Sequence, residues 1–330
     1  MSQFVTPGAA VLDEIANASE PVGPSVGNST GTYRRSMILM DTHVSFAVVG
    51  STVSCAEAVQ RAVDWFQKVE RCGSRFDPSS EVMQLTGQVG VPVEASPLLF
   101  EMVRFACEVA RRSGGAFDPT VGYQLEQRGF NQNYRTGEVV KSSLAANKAV
   151  SYRDVVLDPT QRTIKLRKPL ILDLGAVAKG LAIDLAARDL ERFDSAAIDA
   201  GGDLYLHGHN PLGKPWRIGI RHPRRPTELL ETIQVTNEAV CTSGDYERTT
   251  DGRPDEHHLL DPQTGKPVEG VASVTVIGPT AMLADALSTA AFVLGPRRGI
   301  ALLEREQVAG LIVTPSLQRF ETSNFRGYRQ

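Results

Sequence analysis

Acidic residues and glycines follow apolar, β-type residues at two places in the chain, residues 172–180 and 197–203. Glycine lets a backbone approach a ligand closely, and a helix start offers unpaired N–H groups to a phosphate. In the first segment, Asp173 precedes a helical pattern whose first turns carry Lys179. A carboxylate and an ammonium there would hold a ribose or base and a pyrophosphate, which indicates a nucleotide site. The alternative is that Asp173 caps the helix and Lys179 is solvated.

Two oxygen-bearing side chains lie four residues apart in the helix expected from residue 281 to about residue 294. Asp285 and Thr289 are therefore neighbours on the helix surface, on the side opposite an apolar stripe that includes Leu283, Leu287 and Leu294. A carboxylate beside a hydroxyl is a reasonable pair of ligands for Mg²⁺, which takes few protein ligands plus phosphate and water. The alternative is an ordinary solvated polar face.

Two histidines, His257 and His258, precede a tight turn. Either histidine is a candidate general base, with Asp261 placed to orient it or to fix the turn. The alternative role for these side chains is to bind zinc, but no further Cys or His nearby has the spacing of a zinc site.

Residues 113–120, with the sequence SGGAFDPT, follow a helix that is expected to start at Ser96. The two glycines free the backbone, and Phe117 is placed to stack on a planar ring. An ordinary helix end with a buried Phe117 is the alternative. Familiar motifs fail: the chain has no G-x-G-x-x-G, no Lys-Ser/Thr after the glycines of residues 175–180, and no G-x-S-x-G. A Rossmann cofactor, a P-loop and a serine hydrolase are therefore not supported.

Hydrophobic periodicity and turn residues predict a mixture of helices and strands. Strands are expected within residues 37–53 and at 155–157, 163–166, 196–198, 216–220, 232–235, 271–277 and 311–313. Helices are expected at 55–69, from Ser96 to about Gly114, and at 176–190, 281–294 and 300–305. Because these elements follow no strict βαβ rhythm, we expect an α+β fold. The chain shows no internal repeat and no long linker, so we expect its lobes to be interleaved.

Composition restricts the class of protein. The 330 residues are 42% hydrophobic and 22% charged, with a net charge of −3, so nothing indicates a nucleic-acid partner. No apolar run approaches the ~20 residues that a membrane span needs. Residues 1–32 resemble a flexible tail and lack a secretory signal, and the four scattered cysteines make no disulfide framework. We therefore expect a cytoplasmic protein with one domain over residues 33–330.

Seven segments, taken in order, resemble the ApbE family of flavin transferases, which move FMN from FAD onto a protein. They are RFDPSSEV from Arg75, SGGAFDPTVG from Ser113, DLGAVAKG from Asp173, IDAGGD from Ile198, TSGDYER from Thr242, HHLLDPQTG from His257 and ADALSTA from Ala284. Each segment alone is weak evidence, but seven in the family's order are specific.

The resemblance implies FAD in a cleft, with Mg²⁺ bridging the protein and the diphosphate. By motif match, Asp285 and Thr289 are the side-chain ligands of the metal, Ala176 supplies a backbone carbonyl, and His258 is the base. The positions that match FAD contacts are Met40, Ala116, Phe117, Asp118, Asp173, Lys179 and Leu260. We assign no catalytic role to IDAGGD, whose glycines are expected to serve close backbone packing.

The implied reaction is transfer of FMN to a Ser or Thr hydroxyl of an acceptor flavoprotein, with release of AMP. The alternatives are hydrolysis of FAD to FMN and AMP, or a flavin-binding protein without turnover. Two positions depart from the family pattern: Asp41 replaces a common glycine after Met40, and Thr86 stands where Asn is usual. Many members are exported lipoproteins, and since this chain shows no such leader we expect its acceptor to face the cytoplasm.

Overall fold

One antiparallel sheet organises the part of the chain that the computed structural model describes, residues 31–133, 136–142, 150–249 and 256–329. Eight of the strands in these residues form it, in the order β1-β2-β6-β7-β10-β11-β12-β13. In chain order the strands are β1 (Gly31–Leu39), β2 (Thr42–Gly50), β3 (Pro92–Glu94), β4 (Val155–Asp158), β5 (Thr163–Leu166), β6 (Ser195–Ala200), β7 (Asp203–Gly208), β8 (Trp216–Arg221), β9 (Leu229–Val235), β10 (Glu238–Gly244), β11 (Ser273–Gly278), β12 (Ala309–Val313) and β13 (Arg319–Glu321).

Local sequence signals explain the start of one helix and the interruption of another among the α-helices of the described residues. These helices are α1 (Thr52–Gly73), α2 (Glu81–Thr86), α3 (Pro97–Arg112), α4 (Gly122–Gln127), α5 (Gly175–Leu190) and α6 (Ala281–Arg305). Ser96 accepts a hydrogen bond from the Leu99 N–H, with Pro97 in the first turn, as the sequence predicts. Helix α6 is interrupted at Gly295 (φ 75°), which is followed by Pro296. This interruption confirms the prediction of two successive helices.

Neighbouring residues of a strand point to opposite faces of the sheet, and each face of this sheet is buried by its own core. On β6, Ile198 belongs to a core formed with α1, α3, α5 and α6, whereas Ala197 belongs to a second core. The second core is closed by the β8–β9 hairpin, which contributes Trp216 and Ile218. The helical side is the larger of the two and carries the candidate site.

Strands β2 and β6 pair next to the β1 edge of the sheet, although 144 residues, 51–194, lie between them. Helices α1 to α5 and a small sheet of β3, β5 and β4 belong to this insertion. The α+β class is confirmed. The helical insertion between β2 and β6 interrupts the strands of the large sheet along the sequence, so the two are interleaved. Of the predicted tail, residues 1–30 lie outside the described residues, and Gly31 and Thr32 belong to β1. Within the described residues, no helix combines the length and apolar character that crossing a membrane requires.

Helices α5 and α6 cross in direct backbone contact. A Cβ atom on Gly180 would lie 2.4 Å from the Met282 Cα and 2.7 Å from the Ala281 carbonyl carbon. Only glycine therefore allows this approach. Asp184, one turn later on α5, accepts hydrogen bonds from the N–H groups of Ala281 at 2.7 Å and Met282 at 3.0 Å. One helix thus caps the start of the other and fixes their relative position.

Substitution of Gly180 by Ala tests this contact. In an open helix the change would stabilise by about 1 kcal/mol, but here the methyl group overlaps backbone that has no room to move. We expect a net destabilisation of about 2 kcal/mol or more, measured as a lower urea midpoint. Gly87→Ala is the matched control, since a Cβ there meets only the Gln84 carbonyl at 3.5 Å. Equal stability of G180A and the wild type would contradict the contact.

Candidate active site

A buried ion-pair cluster lies where α5 crosses α6. The Lys179 ammonium contacts the Asp285 carboxylate at 2.9 Å and also contacts the Asp203 carboxylate. Asp203 and Asp285 are 5% and 7% exposed, and one fifth of the Lys179 side chain is accessible. The prediction that Lys179 is solvated is therefore wrong. The solvated polar face is wrong for Asp285 as well, because this carboxylate faces α5 rather than water.

Hydroxyl groups follow Asp285 along α6 and lie on the neighbouring strand β10. Thr289 lies one turn further along the helix, and its hydroxyl is 3.2 Å from that of Ser243 on β10. Ser243 also bonds the Ser288 hydroxyl at 2.7 Å, and Ser288 donates to the Asp285 carbonyl at 2.8 Å. Ala176, the second residue of α5, is half-buried at the start of the helix that carries Lys179. The predicted metal ligands thus come from the two crossing helices.

Asp173 lies just before α5 and is paired with a residue that the sequence did not single out. Its carboxylate accepts the Gly175 N–H at 2.9 Å and contacts the Arg75 guanidinium. Burial alone would raise the pKa of Asp173, but the Arg75 charge and these hydrogen bonds hold it below its usual value. Asp173 therefore stays ionised and bonds the first N–H of the helix, as the capping alternative expects, while its role toward a nucleotide stays a prediction.

The segment SGGAFDPT meets Asp173 through backbone. The Asp173 N–H donates to the Pro119 carbonyl at 2.7 Å, which places Ala116, Phe117 and Asp118 next to the start of α5. Phe117 is 5% exposed, and its N–H donates to the Ser113 hydroxyl. Here too the structural alternative holds in the ligand-free protein, because the Phe117 ring is buried behind the helix end.

Asp118 is a buried structural carboxylate. One of its oxygens accepts from the N–H and the hydroxyl of Thr120, at 2.9 and 2.7 Å, and the other from the Tyr152 N–H at 3.0 Å. Burial raises the pKa of Asp118, and these hydrogen bonds oppose the increase. The carboxylate therefore holds the loop over residues 118–120 against the turn at Tyr152.

The two adjacent histidines have different environments. His257 is 2% exposed, accepts the Leu259 N–H at Nδ1, and lies with Nε2 3.1 Å from the Val268 carbonyl. Both ring nitrogens are engaged by backbone, and the ring packs edge-on against Phe292. His257 is therefore a structural residue and not the candidate base.

His258 is partly exposed, and its ring is oriented by a backbone carbonyl. Nδ1 lies 3.3 Å from the Arg248 carbonyl, which also accepts the His258 N–H at 3.2 Å. Because a carbonyl only accepts, the proton is on Nδ1 and Nε2 keeps its lone pair. Burial and the nearby Arg248 charge lower the pKa of His258 to about 3, so the ring is neutral at physiological pH.

The turn that follows the histidines is built by Asp261. Its carboxylate accepts the Gln263 N–H at 2.8 Å and its carbonyl accepts the Gly265 N–H at 2.7 Å. Of the two roles proposed for Asp261, the structure supports fixing the turn. Leu260, just before the turn, is 5% exposed and pairs with Pro267. Helix α4 holds the turn in place, since Arg128 donates to the Gly265 carbonyl at 2.7 Å.

A chain of contacts connects the histidine loop to Asp173. The second arm of Arg75 donates to the Phe130 carbonyl, and the Phe130 ring lies 6.2 Å from the His258 ring in an edge-on arrangement. Arg75 therefore holds Asp173 on one side and the support of His258 on the other. Arg75 begins the RFDPSSEV segment that was noted in the sequence. The pairing of Arg75 with Asp173, however, spans 98 residues, and no local pattern predicts such a pairing.

Met40 and Asp41 form the two-residue turn between β1 and β2, both with positive φ (49° and 60°). This left-handed backbone favours glycine, which explains in physical terms why Asp41 is an unusual residue here. Met40 packs partly buried against the main core. The Gly201 N–H donates to the His43 carbonyl at 2.9 Å. The β1–β2 and β6–β7 turns therefore lie side by side at the end of the sheet that also carries Asp203.

A cleft of about 1080 Å³ opens beside the Met40–Asp41 turn. Within the described residues, its lining comes from β1, the end of α1, the loop at Phe76 and Asp77, and residues 138–141. Lys179 and Asp285 do not line it. Thr86, the second departure from the family pattern, is 4% exposed and bonds the Val82 carbonyl at 2.9 Å, so its side chain points into the protein.

Comparison with known proteins gives the family. The model of the ApbE family matches residues 40–312, most of the chain. This chain belongs to the ApbE family. It is 29% identical over 302 residues to an FAD:protein FMN transferase of Haemophilus influenzae, covering 87% of each chain. It is 30% identical over 261 residues to the Escherichia coli K12 protein of the same description, covering 76% of this chain and 74% of that one.

Solved structures of ApbE proteins have the same fold. The ApbE protein of Thermotoga maritima is 31% identical, with a TM-score of 0.80 over 91% of this chain and 100% of that one. Pseudomonas stutzeri flavinyl transferase ApbE in its apo form is 26% identical, with a TM-score of 0.76 over 91% and 98% of the two chains. The fold described above is thus that of solved ApbE structures.

The neutral state of His258 in this ApbE protein is open to direct measurement. We expect the imidazole resonances of His258, assigned with His258→Asn, to stay at their neutral positions from pH 8 to pH 5 in the ligand-free protein. The reason is that burial disfavours the imidazolium and places its pKa at about 3. NMR of histidine-labelled protein makes the measurement. A titration midpoint near the ordinary value of about 6.5 would contradict the environment described here.

Proposed function

We propose that this chain transfers FMN from FAD to a Ser or Thr hydroxyl of an acceptor flavoprotein and releases AMP. Family membership supports the proposal, together with one observation. A buried carboxylate paired with an ammonium lies where α5 crosses α6, close to the nucleotide site predicted at the start of α5. Asp285 and Lys179 meet at 2.9 Å, and Asp173 starts the helix that carries Lys179. A polyanionic diphosphate and its counterion need such charges side by side.

The residues around Asp285 fit a magnesium ion. The carboxylate already holds a cationic group, the Lys179 ammonium. The hydroxyls of Ser243, Ser288 and Thr289 bond one another beside it on α6 and β10, and Ser288 also bonds the Asp285 backbone carbonyl. The described residues contain no cluster of three or more His, Cys, Asp or Glu side chains that could hold a metal. A site with Asp285, Thr289 and the Ala176 carbonyl leaves most positions to phosphate and water, which is usual for Mg²⁺. Bound there, Mg²⁺ would neutralise charge on the diphosphate and on the departing AMP.

His258 is the proposed general base. Its Nδ1–H is held by the Arg248 carbonyl, so Nε2 is free to take the proton of the acceptor hydroxyl. The hydroxyl oxygen then forms a bond to the FMN-side phosphorus, and the bond from that phosphorus to the AMP oxygen breaks. His258 returns its proton to solvent. The products are a phosphoester-linked flavin on the acceptor and AMP.

The proposed FAD contacts are Asp173, Lys179, Met40, Leu260 and the loop with Ala116, Phe117 and Asp118. Asp173 is held ionised by Arg75, so it suits hydroxyl or amino groups of the nucleotide. Lys179 suits phosphate oxygens. The cytoplasmic location of the protein and its acceptor also stays a prediction.

Asp285→Ala tests the metal assignment. We expect transfer of FMN to fall at least 10³-fold, because the only carboxylate among the proposed ligands is lost, and EDTA should stop the wild type equally. The assay incubates the protein with FAD, Mg²⁺ and candidate acceptor proteins from the same genome and scores covalent flavin fluorescence after denaturation. Glu231→Gln, which disrupts the ion pairs of this β9 residue with Arg319 and Arg329, is the control. Unchanged transfer by D285A would contradict the assignment.

His258→Asn tests the base separately. We expect transfer to fall by about 10²- to 10⁴-fold, the usual contribution of a general base, with FAD affinity changed less than threefold. Equilibrium FAD fluorescence titration measures the affinity. AMP release without any acceptor would identify hydrolysis, with water in place of the hydroxyl. FAD binding without AMP release under any condition would identify a flavin-binding protein and contradict the proposal.

A further inference from the structure

Lys179 has two carboxylate partners, and the proposed function uses only one of them. The ammonium lies 2.9 Å from the Asp285 carboxylate and also contacts Asp203 on β7. Asp203 ends the IDAGGD segment, to which no function has been assigned above. Because one positive charge meets two buried negative charges, the cluster carries a net charge of −1 before a ligand arrives.

Asp203 is fixed more firmly than an ion-pair partner needs to be. It follows the Gly201–Gly202 turn, where both residues have positive φ (66° and 94°) and the Gly202 N–H donates to Asp199. One oxygen of Asp203 accepts the Thr242 N–H at 3.1 Å, and the other contacts Lys179. Both oxygens are therefore engaged by donors, so Asp203 is built to hold an ammonium in place.

A divalent cation at Asp285 would meet the Lys179 ammonium on the same carboxylate. Two cations at one carboxylate repel, and leaving a largely buried ammonium without a counter-charge is unfavourable. With Asp203 present, the ammonium keeps a buried partner when it gives up Asp285. Without Asp203, Lys179 would have Asp285 as its only counter-charge in the cluster and would compete with the metal for it.

We propose that Asp203 is a positioning residue that retains Lys179, so that the Asp285 carboxylate can pass from the ammonium to a divalent cation. The proposal rests on the metal role of Asp285 given above. It assigns Lys179 two states, bridging both carboxylates in the metal-free protein and paired with Asp203 when the metal is bound. Asp203 acts through Lys179 and is not itself a metal ligand.

The test is a double-mutant cycle on metal affinity, with Mn²⁺ alone as the probe and no FAD. Electron paramagnetic resonance measures free Mn²⁺ in titrations of the full chain. We expect Asp203→Asn to raise the Kd at least tenfold, although its side-chain oxygen can still accept the Thr242 N–H. We expect Lys179→Met to lower the Kd, because the competing cation is gone. In the Lys179→Met background, Asp203→Asn should change the Kd less than threefold.

Controls separate this inference from the proposed function. Thermal unfolding checks that each variant is folded, and Lys179→Gln replaces Lys179→Met if the latter is not. Glu231→Gln, a carboxylate-to-amide change on β9, should leave the Kd unchanged. If Asp285→Ala leaves Mn²⁺ binding intact, or if no variant binds Mn²⁺, the metal assignment fails and the inference with it.

Two outcomes overturn the inference alone, with binding still dependent on Asp285. In the first, Asp203→Asn has no effect on the Kd, so the metal does not need Lys179 to be held elsewhere. In the second, Asp203→Asn weakens binding equally with and without Lys179, which would make Asp203 a direct contributor to the metal site. A cycle with coupling of tenfold or more between the two residues supports it.

Discussion

The backbone contact between α5 and α6 at Gly180 is the constraint on which the candidate site depends. Lys179 is the residue before Gly180, and Asp285 lies one turn into α6, so the distance between ammonium and carboxylate is set by how closely the two helices cross. Asp184 strengthens the same crossing by capping α6. A side chain at position 180 would separate the charges that the proposed chemistry needs together.

Burial gives the site its electrostatic character. Burial acts to raise the pKa of Asp173, but the Arg75 charge and the hydrogen bonds to Asp173 together lower it, so this carboxylate remains ionised. His258 remains neutral because burial and the Arg248 charge act in the same direction. Burial raises the pKa of Asp184 to about 6, because its two backbone hydrogen bonds and the Arg188 charge offset only part of the effect. Similar degrees of enclosure thus produce an anion, a neutral base and a carboxyl near its titration point, depending on which partner is present.

The sequence predicted those parts of the fold that local signals determine. Ser96 and Pro97 fixed the start of α3, and the 155–166 hairpin followed from its turn residues. Strand β7 was missed because Asp203 and the glycines before it resemble a ligand loop, although they form a turn into a paired strand.

The candidate site was predicted unevenly for the same reason. Helical spacing singled out Asp285 and Thr289, and a family resemblance chose between His257 and His258. The pairing of Arg75 with Asp173 and of Asp203 with Lys179 joins residues from separate elements. Such contacts follow from how the sheet and helices assemble, and no periodicity in the chain encodes them.

The residues of the Lys179 cluster are synthesised in a fixed order, with Asp203 before Asp285. During synthesis from the N-terminus, Asp203 emerges 24 residues after Lys179 (203 − 179), whereas Asp285 does not emerge until 106 residues after it. The β6–β7 hairpin that presents Asp203 can form on the ribosome well before α6 exists. Asp203 is thus available to the ammonium earlier in synthesis than the carboxylate proposed for chemistry.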